Sequence, residues 1–285
     1  MSVSHPRVAL LPAVAGISAV LLFAGCASPG EAPAPLLHAA ANETRVGEEA
    51  YLSGRASDAV PALTEAVRLH FAAGDLPGAS RALLNLALAQ RGAGDNAAAN
   101  ATAARLREIT PGARQQLHEQ AVKSNDTADL DAAADWLEAL LALDRGETAV
   151  ASNLVSSSIV KGAATSPWPG RIETLRAEIA LKDGHFDEAL ARSRAGQAAT
   201  AAAHDRAEEA RALRLGGAAQ VGLAHWIEAR GNFLAAIRIE EALGGGRRMA
   251  ADLNQLAAIA EHLGDADDAR LYAQRAQAIL SSRPH

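Results

Sequence analysis

The sequence predicts an all-α protein, a solenoid built from antiparallel helix pairs, and three observations carry that prediction. About a quarter of the 285 residues are alanine, the strongest helix former, while aromatic residues make up 3%. No run alternates apolar and polar residues with the period of two that a half-buried strand requires. A helix-ending residue followed by alanine five positions later recurs along the chain. The clear cases are Gly94-Asp95 with Ala99, Gly184-His185 with Ala189 and Gly264-Asp265 with Ala269; Gly54 with Ala59, Ala224 with Ala229 and, more weakly, Asp144 with Ala149 share the register.

Residues 1–25 have the three parts of a secretory signal. His5 and Arg7 form a short basic start, no acidic residue precedes Glu31, and Val8 to Phe23 is apolar but short for a bilayer span. The only cysteine follows, in Phe23-Ala24-Gly25-Cys26. These residues resemble the bacterial lipobox, whose cysteine is acylated, as with palmitate, and becomes the first mature residue. Ala24 and Gly25 match it, and Phe23 stands where Leu is commoner. The resemblance implies lipid attachment at Cys26. Ala27 in place of Asp after it implies the outer membrane, with the protein anchored there and facing the periplasm. An ordinary cleavable signal and an uncleaved anchor are the alternatives. Residues 26–39, rich in Pro and Ala, read as an extended tether.

From residue 40 to 285 the anchors fall at 54, 94, 144, 184, 224 and 264, a spacing of 40 broken by one 10-residue insertion between 94 and 144. Seven residues before each anchor lie Gly47, Ala87, Leu137, Ala177, Gly217 and Ala257; twelve after lie Ala66, Leu106, Ser156, Gly196, Ala236 and Ala276. Mostly small residues at these sites let two helices approach closely, and leucines such as Leu83, Leu86 and Leu253 supply the apolar stripe. At these residues, and at Leu83-Leu84-Asn85-Leu86-Ala87 and Leu253-Asn254-Gln255-Leu256-Ala257, the chain resembles the tetratricopeptide repeat family in its longer variant. The resemblance implies about six repeats, near 40–79, 80–129, 130–169, 170–209, 210–249 and 250–283. It further implies a right-handed superhelix whose concave groove is lined by each first helix.

The stretch 112–165 matches weakly. Pro111 sits where a repeat usually ends, with one extra helix from Gly112 to Ser124. An alternative register makes 114–147 a repeat with Ala121, Ala128 and Ala133 at the motif positions. Both remain open. Ser166-Pro167-Trp168-Pro169-Gly170 must turn, because two close prolines exclude a continuous helix. Trp168 is therefore placed in a loop, where exposure and a contact role are open to it.

A net charge of −6 and a pI near 5.9 disfavour nucleic acid. Chemistry is present only in fragments. Ser158-Ile159-Val160-Lys161 has the S-x-x-K spacing of penicillin-recognising enzymes but lacks their other elements. His118-Glu119 begins a zinc motif that Val122 breaks. Gly244-Gly245-Gly246-Arg247-Arg248 reads as a flexible connection, with anion binding as the alternative. No metal, cofactor or catalytic role is expected, and a protein or peptide partner is. In the family, the second and the fifth or sixth positions of each first helix point into the groove. Carried onto this chain, they are Arg81, Asn85, Arg171, Thr174, Arg211, Arg214 and Asn254. Arg81, Arg171 and Arg211 share one repeat position, so they would form a basic stripe suited to a carboxylate or an acidic peptide. The alternative is that these arginines are solvated or pair with neighbours such as Glu173 and Glu178.

Overall fold

The computed structural model describes residues 34–120, 124–157, 166–244 and 246–281. Residues 1–25, read above as a signal, Cys26 and the segment Ser158 to Lys161 lie outside the described residues. Twelve helices, and no strand, occur among those described. They are α1 (Ala34–Leu52), α2 (Ala56–Ala72), α3 (Leu76–Gly92), α4 (Asn96–Glu119), α5 (Ser124–Asp144), α6 (Thr148–Ser157), α7 (Trp168–Lys182), α8 (Phe186–Ala202), α9 (Arg206–Gly222), α10 (Trp226–Ala242), α11 (Arg247–Leu263) and α12 (Ala266–Ser281). Each packs on the next, and α1, α3, α5, α7 and α9 also touch in succession, so these five first helices form one continuous layer. The chain is an all-α helical-repeat solenoid. None of the described helices is long and apolar enough to cross a membrane.

The turn inside each pair explains the repeat. Gly54, Gly94, Gly146, Gly184 and Gly264 have φ between 76 and 86°, and Ala224 takes the same left-handed place at 59°. The residue after each turn then bonds back to the preceding helix, as Asp95 N–H does to the Gln90 carbonyl at 2.9 Å and His185 N–H to Ala180 at 2.8 Å. That bond closes helix carbonyls that would otherwise lack partners. Asp95 then caps the next helix by accepting from the Ala98 N–H.

The third pair corrects the sequence register. Its left-handed residue is Gly146, two positions after Asp144. Ala151, five beyond Gly146, is fully buried, whereas Ala149 is exposed. The insertion is therefore 12 residues, and the next spacing shortens to 38. Its cause is α4, which continues through Pro111 to Glu119 instead of ending there. Pro111 lies on the exposed face of the helix, while Ala113 and Leu117 beyond it pack on Leu130 and Leu76. The extension is used: the Gln116 amide accepts from the Leu76 N–H and donates to the Gly74 carbonyl, both at 2.9 Å. Residues 114–119 belong to α4, so a repeat spanning 114–147 does not form.

Two further expectations change. Helix α1 begins at Ala34, inside the stretch 26–39 read as an extended tether; Pro35 lies in its first turn, where a missing N–H costs nothing. Pro167 and Pro169 likewise start α7, and Trp168 is its first residue, 6% exposed. It packs edge-on against Trp136 with ring centres 6.0 Å apart.

Small residues set the helix spacing. Ala59, Ala99, Ala151, Ala189 and Ala229 are wholly buried. Between α7 and α8, a Cβ on Gly170 would lie 2.5 Å from Thr200 Cγ2 and one on Gly196 2.6 Å from Thr174 Oγ1. The corrected register predicts that Ala151→Leu destabilises the array by about 1–3 kcal/mol through overpacking. Ala149→Leu should stay within about 0.5 kcal/mol of the parent. Urea unfolding of both variants separates the registers.

Candidate functional site

The seven proposed groove residues occupy different environments. Arg81 is exposed and makes no hydrogen bond or ion pair among the described residues. One turn on, Asn85 donates its amide to Glu48 of α1 at 2.6 Å. Arg171 meets Asp205 at 2.7 Å while its guanidinium lies 5.0 Å from the Trp168 ring centre and 5.5 Å from that of Trp136. Thr174 is fully buried, donating to the Gly170 carbonyl at 2.8 Å against Gly196 of α8. It faces the neighbouring helix, which corrects its placement in a groove: the position needs a small side chain because the two backbones nearly touch. Arg211 lies between Glu208 and Glu178. Arg214 bonds Glu240 at 2.9 Å and approaches Asp252 at 3.5 Å. Asn254 is exposed on α11.

The three arginines of one repeat position therefore form no basic stripe. Arg171 and Arg211 are neutralised across repeats, and Arg81 alone makes no direct salt bridge, with Asp75 near enough only to feel its field. Burial alone would lower the affinity of the Arg211 guanidinium for its proton; Glu208 and Glu178 more than reverse that and hold its pKa above the ordinary arginine value. The same logic runs along the layer, where Arg91 of α3 meets Asp144 of α5 at 2.5 Å. Glu178 was visible in the sequence as a partner; Asp205 and Glu208 were hidden because one caps α9 and the other lies in its first turn.

Arg81 and Asn85 border a cavity of about 330 Å³ between α1, α3, α4, α5 and the start of α7. Its walls include Leu84, Leu106, Leu117, Leu130 and Trp168. Glu48 and Asp129 also line it, the first engaged by Asn85 and the second accepting from the Ser166 hydroxyl at 3.0 Å. Sequence reasoning missed this apolar part, since Leu117 lies beyond Pro111 and Trp168 was placed in a loop. A second cleft of about 250 Å³ lies between α6, α7 and α8. It is polar, and its Arg176 and Arg192 are both paired with Glu173. No group of three His, Cys, Asp or Glu side chains able to hold a metal occurs among the described residues.

No family model matches the chain, and no curated protein matches it. Among solved structures it is similar to BtubC (BKLC) from P. vanneervenii, at 17% identity over 89% of this chain and 95% of that one, with a TM-score of 0.55. The likeness is one of fold.

The contrast between the arginines is testable. Arg211→Ala leaves Glu178 and Glu208 facing each other with little water and should cost about 2–3 kcal/mol of stability. Arg81→Ala should change it by no more than about 0.5 kcal/mol. Chemical denaturation at neutral pH measures both.

Proposed function

We propose that this chain is a tetratricopeptide-like lipoprotein adaptor of the bacterial envelope. It is anchored in the outer membrane through Cys26, faces the periplasm and binds a protein partner on its first-helix layer. The cavity beneath Arg81 and Asn85 carries the reading: an apolar hollow on an otherwise ion-paired layer, with one guanidinium at its border that no carboxylate contacts within salt-bridge distance among the described residues. An apolar side chain from the partner fills the hollow, and an adjacent carboxylate meets Arg81 through charge-assisted hydrogen bonds. Glu48 and Asp129 disfavour a run of acidic residues there, so one carboxylate beside an apolar residue fits better than a strongly acidic peptide. The resemblance of Phe23-Ala24-Gly25-Cys26 to the lipobox supports the anchor. Lipoproteins with such repeats serve envelope assemblies as scaffolds, and that class of role is proposed here.

A second reading rests on the cavity's size. About 330 Å³ lies at the lower end of small-molecule sites, so a small acidic ligand, such as a peptidoglycan fragment, could occupy it in place of a partner's side chain.

Two experiments test the proposal. Replacing Cys26 with Ser should release the protein from the membrane fraction; a variant that stays bound, with no acyl chain on the wild type by mass spectrometry, removes the anchor. Partners captured by crosslinking in membranes should bind the Arg81→Ala/Asn85→Ala variant about ten- to a hundred-fold more weakly, as expected for the loss of charge-assisted bonds. Equal affinity removes this face, and binding of muropeptides alone with the same Arg81 dependence selects the second reading.

A further inference from the structure

A solenoid of stacked pairs ordinarily brings only near neighbours into contact. Here residues 196 positions apart meet: Arg248, in the first turn of α11, donates to the Leu52 carbonyl at the end of α1 at 3.2 Å. Its guanidinium lies 5.5 Å from the Tyr51 ring centre. The α10–α11 connection approaches as closely, since a Cβ on Gly244 would stand 3.5 Å from Ser53 Oγ, and one on Gly246 3.6 Å from the Ser53 carbonyl oxygen. The connection that reads in sequence as flexible is a seam between the first pair and the last.

Behind the seam lies a buried charge cluster. Glu240 of α10 is 1% exposed and Asp252 of α11 is 2% exposed. Each keeps one carboxylate oxygen, Glu240 Oε2 and Asp252 Oδ2, without a hydrogen bond. Arg214 from α9 serves both acids, at 2.9 Å and 3.5 Å, while Arg248 approaches the free Glu240 oxygen at 3.5 Å. The charged groups of α12 are turned elsewhere, Arg275 to Glu241 and Arg270 to Asp267.

We propose that Arg248 is a latch that closes the array between its first and last pairs, and that protonation of Asp252, in the buried acid pair behind it, controls the closure. Arg248 turns its Nε toward Glu240 and donates to Leu52 from its Nη2, so the state of the acids is felt at the end of α1. When both acids are ionised they repel each other out of water, and Asp252 competes with Glu240 for Arg214. With Asp252 protonated, Glu240 is left to the two arginines and the latch is set.

The direction with pH follows from linkage. Burial first, and Glu240 second, raise the Asp252 carboxyl, against the pull of Arg214 and Arg248, to about 7. Opening the seam admits water and returns it toward the ordinary value near 4. The closed form therefore binds more protons, and closure weakens as pH rises from about 4 to 7, then levels off.

Hydrogen exchange of the Ser53, Gly54 and Arg55 amides in the full chain tests this. These N–H groups close the end of α1, and the Gly184–His185 turn between α7 and α8, whose His185 N–H bonds the Ala180 carbonyl in the same way, is the internal reference. Corrected for intrinsic rates, protection at residues 53–55 should fall by up to about a hundredfold from pH 5 to pH 8 in the wild type. It should stay high at both pH values in Asp252→Asn and low at both in Arg248→Ala, with the reference turn unchanged throughout. If Arg248→Ala lowers both turns together, the array has unfolded, and Arg248→Gln, which keeps part of the stem, takes its place beside Asp252→Asn. Wild-type protection in the Arg248 variants overturns the latch. A pH response that survives Asp252→Asn overturns its control by that acid.

Discussion

Everything in this array depends on how closely two helices of a pair can approach. Ala59, Ala99, Ala151, Ala189 and Ala229 have no exposed surface, and each stands five residues after a left-handed turn residue. A larger side chain there would push the second helix off the first. The displacement would pass to the next pair, because each second helix also packs on the following first helix. With few aromatic residues to fill gaps, contact comes from backbone proximity, most strongly at Gly170 and Gly196. Small residues at a fixed distance from the turn thus set the spacing of the first-helix layer and of every charge on it.

That layer manages its charges by pairing them across repeats. Asn85 reaches back to Glu48, Arg91 forward to Asp144, Arg171 to Asp205 and Arg211 back to Glu178. Individually, such pairs at a wet surface contribute little. Here several are largely shielded, and each joins residues some 30 to 50 positions apart along the chain, so they fix the relative placement of neighbouring repeats. A guanidinium without a direct salt bridge on a layer so consistently paired is the exception, and Arg81 is that guanidinium.

How much was legible in the sequence follows from the range of the interactions. The turns at Gly54, Gly94, Gly184 and Gly264 were legible because a left-handed turn and a buried alanine are set within a few residues. Asp144 with Ala149 imitated that signal in an alanine-rich chain, and only the positive φ of Gly146 and the burial of Ala151 separate the two. Pro111 was read by its local chemistry, but packing of Leu117 on Leu130 carries the helix past it. Thr174 was assigned by position count, whereas its environment is decided by Gly196 across the pair. The arginine stripe failed for a similar reason: which charges remain free depends on partners 33 or 34 residues away. The cavity lay beyond reach altogether, since its walls come from five helices.

The meeting of the α10–α11 connection with the end of α1 bears on how such a protein can change over evolutionary time. An open stack gains or loses a unit at little cost, because duplication or deletion only moves an end. If the latch holds, the count of pairs among the described residues is tied to it. Deleting one pair would draw Arg248 away from Leu52, and adding one would carry it past, so either event would break a contact that no single compensating substitution restores. Point substitution and loop variation remain as routes to diversity, and six pairs should persist wherever the seam does.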